Sequence, residues 1–212
     1  FAIRANAGSM LFATGGNAER MRIDDIGAVL IGGEPKIDGA TKLQVAGSDS
    51  GVTTIWSNAD DVVIQNNNNV GISLATPNTG VGSIGFADTE SVNAGYIQYN
   101  HADNYLRFGT QATEHLRIDI DGQVQVRNQG GGGADLLLYN TDTSIGLNQM
   151  IGRLGFYKSD ASGSGVGVSS SIQVRSESAV GGGSFMTFHT DDNQTPEVEK
   201  MRITGSGNVG IN

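Results

Sequence analysis

The chain has 212 residues, of which 32 are glycine, three are proline and none is cysteine; its formal net charge is −9 and its sequence pI is near 4.6. The acidic balance opposes nucleic-acid phosphates and anionic membrane surfaces, while the lack of cysteine excludes disulfides, thiol catalysis and thiolate metal sites. Glycine follows no Gly-X-Y period, which excludes collagen, and no apolar run approaches the roughly 18 residues of a membrane-spanning helix.

Beginning at Phe1, with neither an initiator methionine nor a signal peptide, the chain is expected to be a fragment or a processed piece. Short alternating apolar runs between Gly, Asn, Ser and Asp clusters, without a sustained 3.6-residue period, predict an almost purely β chain. Ile3-Arg4-Ala5 and Met10-Leu11-Phe12-Ala13-Thr14 read as strands, and after them comes Glu19-Arg20-Met21-Arg22-Ile23-Asp24. Side chains alternate along a strand, so Met21 and Ile23 share a dry face while Arg22 and Asp24 share a charged one. Asp24-Asp25-Ile26-Gly27 predicts a type I turn closed by a left-handed glycine, from which Val29 and Ile31 return. A loop over 31–41 leads to a strand at Leu43-Gln44-Val45, and small residues from Gly47 lead to an apolar strand over 52–56.

The same phrase recurs as Glu114-His115-Leu116-Arg117-Ile118-Asp119 and as Glu199-Lys200-Met201-Arg202-Ile203-Thr204. Gly122 then leads to Val124 and Val126, and Gly207 to Val209 and Ile211. Strands over 106–110 and 186–190 precede these phrases as Met10-Leu11-Phe12 precedes the first, and Ile97 and Ile172 match Ile3. The second and third copies also share leading strands over 82–86 and 152–156. Between them, a small-residue stretch from Gln129 ends in an apolar strand over 136–139, and the third copy carries soft surface loops over 159–171 and 176–184. Arg22 and Arg117 are 95 residues apart, Arg117 and Arg202 85, longer than the roughly 20–50 residues of solenoid or propeller repeats. The expected organisation is therefore three serial β modules, over 1–45, 46–128 and 129–212.

Each module is poor in core. The second offers few large apolar side chains, chiefly those of Ile84, Phe86, Ile97, Phe108, Leu116 and Ile118. At about 1.5–3 kcal/mol for each buried side chain, they must offset about 1–2 kcal/mol of ordering cost per residue. Association through the apolar faces would supply the missing burial, and three chains around one axis is a natural closed arrangement. The expected fold is all-β: an elongated, fibrous, homotrimeric chain of small modules, each a β-sandwich, a β-prism or an intertwined triple β-helix.

The three phrases, the closing Gly207-Asn208-Val209-Gly210-Ile211, and Ile31-Gly32-Gly33-Glu34-Pro35 leading to Lys42-Leu43-Gln44-Val45 together resemble the repetitive shafts of bacteriophage tail fibres and tailspikes. There, an "RMRI…GNVGIGT…P…KLHV" segment recurs, often upstream of a C-terminal intramolecular chaperone domain. The resemblance spans about half of the chain. It implies a homotrimeric, β-rich fibre on the virion, outside the cell, whose partners are itself, other virion tail proteins and a host-surface glycan.

Glu19 with Arg22, Glu114 with Arg117 and Glu199 with Arg202 read as structural ion pairs that set register, in preference to a recognition strip. His101, His115 and His189 lack metal-ligand spacing, and Asp119-Ile120-Asp121-Gly122 lacks the closing glutamate of a calcium loop. Asp60-Asp61 and Asp191-Asp192 are the candidate acidic pairs, but neighbours on a strand point to opposite faces. Gly130 to Gly133 lack the strand-then-helix setting of a phosphate loop, and Asn66 to Asn69 read as a polar turn. Trp56 reads first as a buried strand residue; as alternatives, Trp56, Tyr96, Tyr99 and Tyr105 could form glycan platforms. The expectation is a structural shaft, neither an enzyme nor a cofactor protein, that projects a receptor-binding part. The alternatives are a carbohydrate-binding module and, behind it, a polysaccharide-degrading spike.

Overall fold

Runs that alternate in polarity over a few residues, punctuated by glycine, bury one face at a time as strands and have no continuous stripe to bury as helices. In the computed structural model, which describes residues 8–16, 18–32, 41–163, 165–191 and 197–212, every regular element is a strand. The expected strand at Ile3, the loop over 33–40 and Asp192 lie outside the described residues.

The strands form three open five-stranded sheets. In the first, β1 (Met10–Thr14), β2 (Ala18–Ile23), β3 (Val29–Ile31), β4 (Leu43–Ala46) and β5 (Val62–Gln65) lie in sequence order. The first three are antiparallel, and β4 and β5 add in parallel. The second sheet is a meander of β6 (Val81–Phe86), β7 (Gly95–Asn100), β8 (Tyr105–Thr110), β9 (Thr113–Ile118) and β10 (Val124–Val126). The third is an antiparallel meander of β11 (Met150–Lys158), β12 (Gly167–Ser176), β13 (Ser184–Thr190), β14 (Val198–Ile203) and β15 (Val209–Ile211). The chain divides into two compact units, Phe1–Ser83 with Asn100–Ala102, and Ile84–Tyr99 with Asp103–Asn212. The boundary expected at 45/46 falls inside β4, and the first sheet continues to Gln65.

Among the described residues two expected strands, over 52–56 and 136–139, have no ladder partner, and Trp56 is 71% exposed where burial was expected. Apolar, β-prone sequence cannot make a strand without a neighbour to receive its main-chain bonds. The soft loop expected over 159–171 is shorter, because β12 already pairs with the long β11 from Gly167.

Registers place whole apolar rows on one face of each sheet. Leu154, Ile172, Phe188, Met201 and Ile211 form one such row across the third sheet. Met10, Ile23, Val29, Leu43 and Val62 form its counterpart in the first. Every residue in these rows is half-buried or exposed. The opposite, ion-paired faces hold most of the buried strand residues: Leu30, Gln44 and Val63 in the first sheet, Tyr96 and Glu114 in the second, Ser171, Gln173, Phe185 and Thr187 in the third.

Candidate functional site

The recurring feature is built from a conflict in the sequence. Glu and Arg three residues apart on a regular strand point to opposite faces. The structure resolves this with one extra residue at the same place in each sheet. Phe12 opposes Met21 but Ala13 opposes Glu19, skipping Arg20. Phe108 opposes Leu116 but Gly109 opposes Glu114, skipping His115. Phe188 opposes Met201 but His189 opposes Glu199, skipping Lys200. Each bulge returns the glutamate to the arginine's face.

There the side chains meet as forks. Arg22 donates Nε and Nη2 to the two carboxylate oxygens of Glu19 at 2.9 and 2.6 Å. Arg117 does so to Glu114 at 2.7 and 2.7 Å, and Arg202 to Glu199 at 2.8 and 2.8 Å. The return strand closes over each bulge: the amides of Gly32, Arg127 and Asn212 donate to the carbonyls of Arg20, His115 and Lys200 at 2.9, 2.8 and 3.0 Å. Each turn is also pinned. Gly27, Gly122 and Gly207 have φ of 87°, 77° and 85°, and their amides donate to the carbonyls of Asp24, Asp119 and Thr204. The Asp119 carboxylate accepts from the amides of Asp121 and Gln123 and from Gln125 Nε2, so its oxygens serve the turn.

The second copy is elaborated. Arg127 Nη1 donates to Glu114 Oε1 at 2.6 Å, and Arg107, held by Gln98 Oε1, brings Nη1 to 3.5 Å from Oε2. The Arg117 guanidinium lies 3.8 Å from the centroid of the Tyr105 ring, as Arg202 lies 4.2 Å from that of Phe185 at the equivalent position. Hydrogen bonds from Arg117, reinforced by Arg127, hold the Glu114 carboxyl down to about 2 against the opposing effect of burial. Arg202 likewise lowers Glu199, and all three phrase arginines are raised by their glutamate partners.

No protein-family model and no curated protein matches this chain. Its reading therefore rests on its own geometry. A carboxylate kept ionised and saturated by guanidinium donors is suited to neither proton transfer nor nucleophilic attack. It is suited to fixing one strand against its neighbours.

The other candidates are dispersed. Tyr96 and Tyr105 lie on the ion-pair face, with Arg107 5.3 and 5.7 Å from their ring centroids. Tyr96 is only 5% exposed. Tyr99 lines a cleft with Leu106 and Ile118 on the other face, so the three tyrosines form no common platform. Trp56 lies in the other unit. Among the described residues no group of three His, Asp or Glu side chains could hold a metal ion. His115 is the bulge residue and exposed, and His189 Nε2 meets Thr187 Oγ1 at 3.0 Å. Asp191 pairs with Lys158 at 2.9 Å, and the Asp61 carbonyl accepts from Lys42 and Leu43. Asn128 pins the glycine run by donating to Gly132 and Gly133, and Asn66 donates to the Asn69 carbonyl. Sequence reasoning missed the bulges, although the Glu-to-Arg spacing of three signals them by its parity. It also missed Gln98, although Gln173 stands at the matching place in the third copy, and Arg107 and Arg127, which carry no repeat signature.

Proposed function

We propose that this chain is a structural shaft segment of a phage-type tail fibre or spike, a homotrimer that carries load and projects a receptor-binding part. One observation carries the reading: the apolar rows of all three sheets are half-buried or exposed, while most of the buried strand residues lie on the opposite, ion-paired face. An apolar surface running across five strands, three times over, demands a cover far larger than the few hundred Å² of a typical monomer patch. A repeating fibre covers it with copies of itself. The three clamps supply the rest of the reading, since repetition of a register device without catalytic geometry suits a mechanical part. The setting proposed is the virion, outside the cell, alongside other tail proteins, with no enzymatic role.

Light scattering or sedimentation tests this directly. The expected particle has three times the 22.1 kDa chain mass and an extended frictional ratio. Met201→Asp, in the centre of an apolar row, is expected to abolish it. A well-folded compact monomer at micromolar concentration overturns the proposal.

The exposure of Trp56 favours a second reading, in which this indole stacks on a host-surface sugar. Quenching of the single tryptophan by glycans, together with a sugar-dependent melting shift that Trp56→Ala abolishes, would support it; no response across a glycan panel removes it.

A further inference from the structure

Two stretches have strand sequence and no strand partner among the described residues. Residues 70–76 and 135–141 each precede the first strand of a sheet, and each lays a leucine on a glycine of that strand. A Cβ at Gly82 would stand 3.7 Å from that of Leu74, and a Cβ at Gly152 3.4 Å from that of Leu138. In the second stretch Leu136, Leu137 and Tyr139 are 73, 77 and 78% exposed. Among the described residues, 135–139 make no main-chain to main-chain hydrogen bond. A run this apolar and this short of partners is a strand awaiting a sheet.

The complementary deficit lies at β10. The Gln123 carbonyl and the Arg127 amide face β9, so by alternation the main-chain groups of Val124 and Val126 face outward. The first sheet shows how such an edge is filled. Val29, opposite Ile23 as Val124 is opposite Ile118, donates its amide to the Lys42 carbonyl at 2.7 Å, and β4 runs parallel alongside. The second sheet ends at β10, a Val-Gln-Val edge without the Lys, Pro or bulge that protects natural edges.

We infer that residues 135–139 of one copy are the missing parallel strand on β10 of a second copy. The next apolar run after β3 that pairs with it is β4, and the next apolar run after β10 is 135–139. Leu138 ties this run to the third sheet of its own chain, where it borders a cleft of about 290 Å³ with Gly152, Leu154, Ile172 and Val174. The copy is thereby left to supply the β10 edge, and a strand passed from each chain to the next closes a ring. The inference rests on the homotrimer proposed above.

The chain has no cysteine, so Gln125→Cys with Leu137→Cys gives a clean test. A short bis-maleimide applied to the assembled double variant is expected to give denatured species of two and three chain masses, with the peptide around 125 joined to that around 137. In the unmodified trimer, hydrogen exchange at the amides of 136–139 is expected to be protected, with protection lost on dissociation. A link confined to single chains overturns the inference in favour of pairing within one chain. An intact trimer with no such link and unprotected amides overturns it while leaving the fibre reading standing. Absence of any trimer removes both. If the cysteine variant fails to assemble, exchange in the unmodified chain decides between these outcomes.

Discussion

Glu114→Gln keeps the shape of the central clamp and removes its charge. Lowering a carboxyl from its ordinary 4.5 to about 2 corresponds to about 3 kcal/mol of differential stabilisation at neutral pH. The three arginines around it keep 23–42% of their side-chain surface exposed, and water will partly replace the lost charge, which reduces the expected cost to about 2 kcal/mol. For a chain of this length that is a fall in melting temperature on the order of 6 °C. Glu19→Gln is the internal control. Among the described residues Glu19 pairs with one arginine, 38% exposed, so its loss is expected to cost about 0.5 kcal/mol. The pH dependence has a definite sign. A carboxyl depressed in the folded state stabilises fully above its unfolded pKa and loses that contribution as pH falls through the folded one, here from about 4.5 to about 2. The gap between parent and Glu114→Gln is therefore expected to be widest above pH 5 and nearly closed at pH 2. Circular-dichroism melts at fixed chain concentration measure both effects. Equal losses for the two variants, or a gap that persists unchanged at pH 2, would refute the reasoning.

Gly32→Ala is expected to cost at least about 3 kcal/mol by urea titration, because its Cβ would stand 1.8 Å from the Ala46 carbonyl oxygen at a φ of 110°; Gly71→Ala, with nothing within 4 Å, is expected to change stability by less than about 0.5 kcal/mol. Deleting His115 removes the bulge and leaves Glu114 two residues from Arg117 on a regular strand, still on the arginine's face and opposite Gly109, so cooperative melting is expected to persist. His115→Lys, which copies Lys200, is expected to melt within about 2 °C of the parent.

The strands were legible where local sequence decides them. Period-two alternation located β8, β9, β13 and β14, and the left-handed glycines located the turns at Gly27, Gly122 and Gly207. What depends on a distant partner was not legible. Residues 52–56 and 136–139 have the composition of strands, yet pairing is a property of two segments and neither finds a second one among the described residues. The pairing of Glu with Arg could be proposed from repetition, but its mechanism depends on a register shift between β8 and β9 that no single strand encodes. Arg107 and Arg127 reach Glu114 from two different strands, and only the assembled sheet brings them together.

The position of the clamp follows from what the apolar face has to do. A slip of one residue in a strand exchanges its faces, and in an ordinary domain the buried core forbids that slip. In these sheets the apolar rows are open in the single chain, so burial cannot guard the register until a cover arrives. A device on the opposite face can act earlier. The fork lies within one strand, and the bulge that permits it is tied to the observed register: moving β2, β9 or β14 by one residue leaves the carbonyl of Arg20, His115 or Lys200 without its amide and, in the second copy, takes Glu114 away from Arg107 and Arg127. In the homotrimer proposed above, the polar clamp would do before association what a core does after it. It holds Met21, Leu116 and Met201 together on the apolar face, which gives the recurring charged residues of the phrase a role beside the apolar ones.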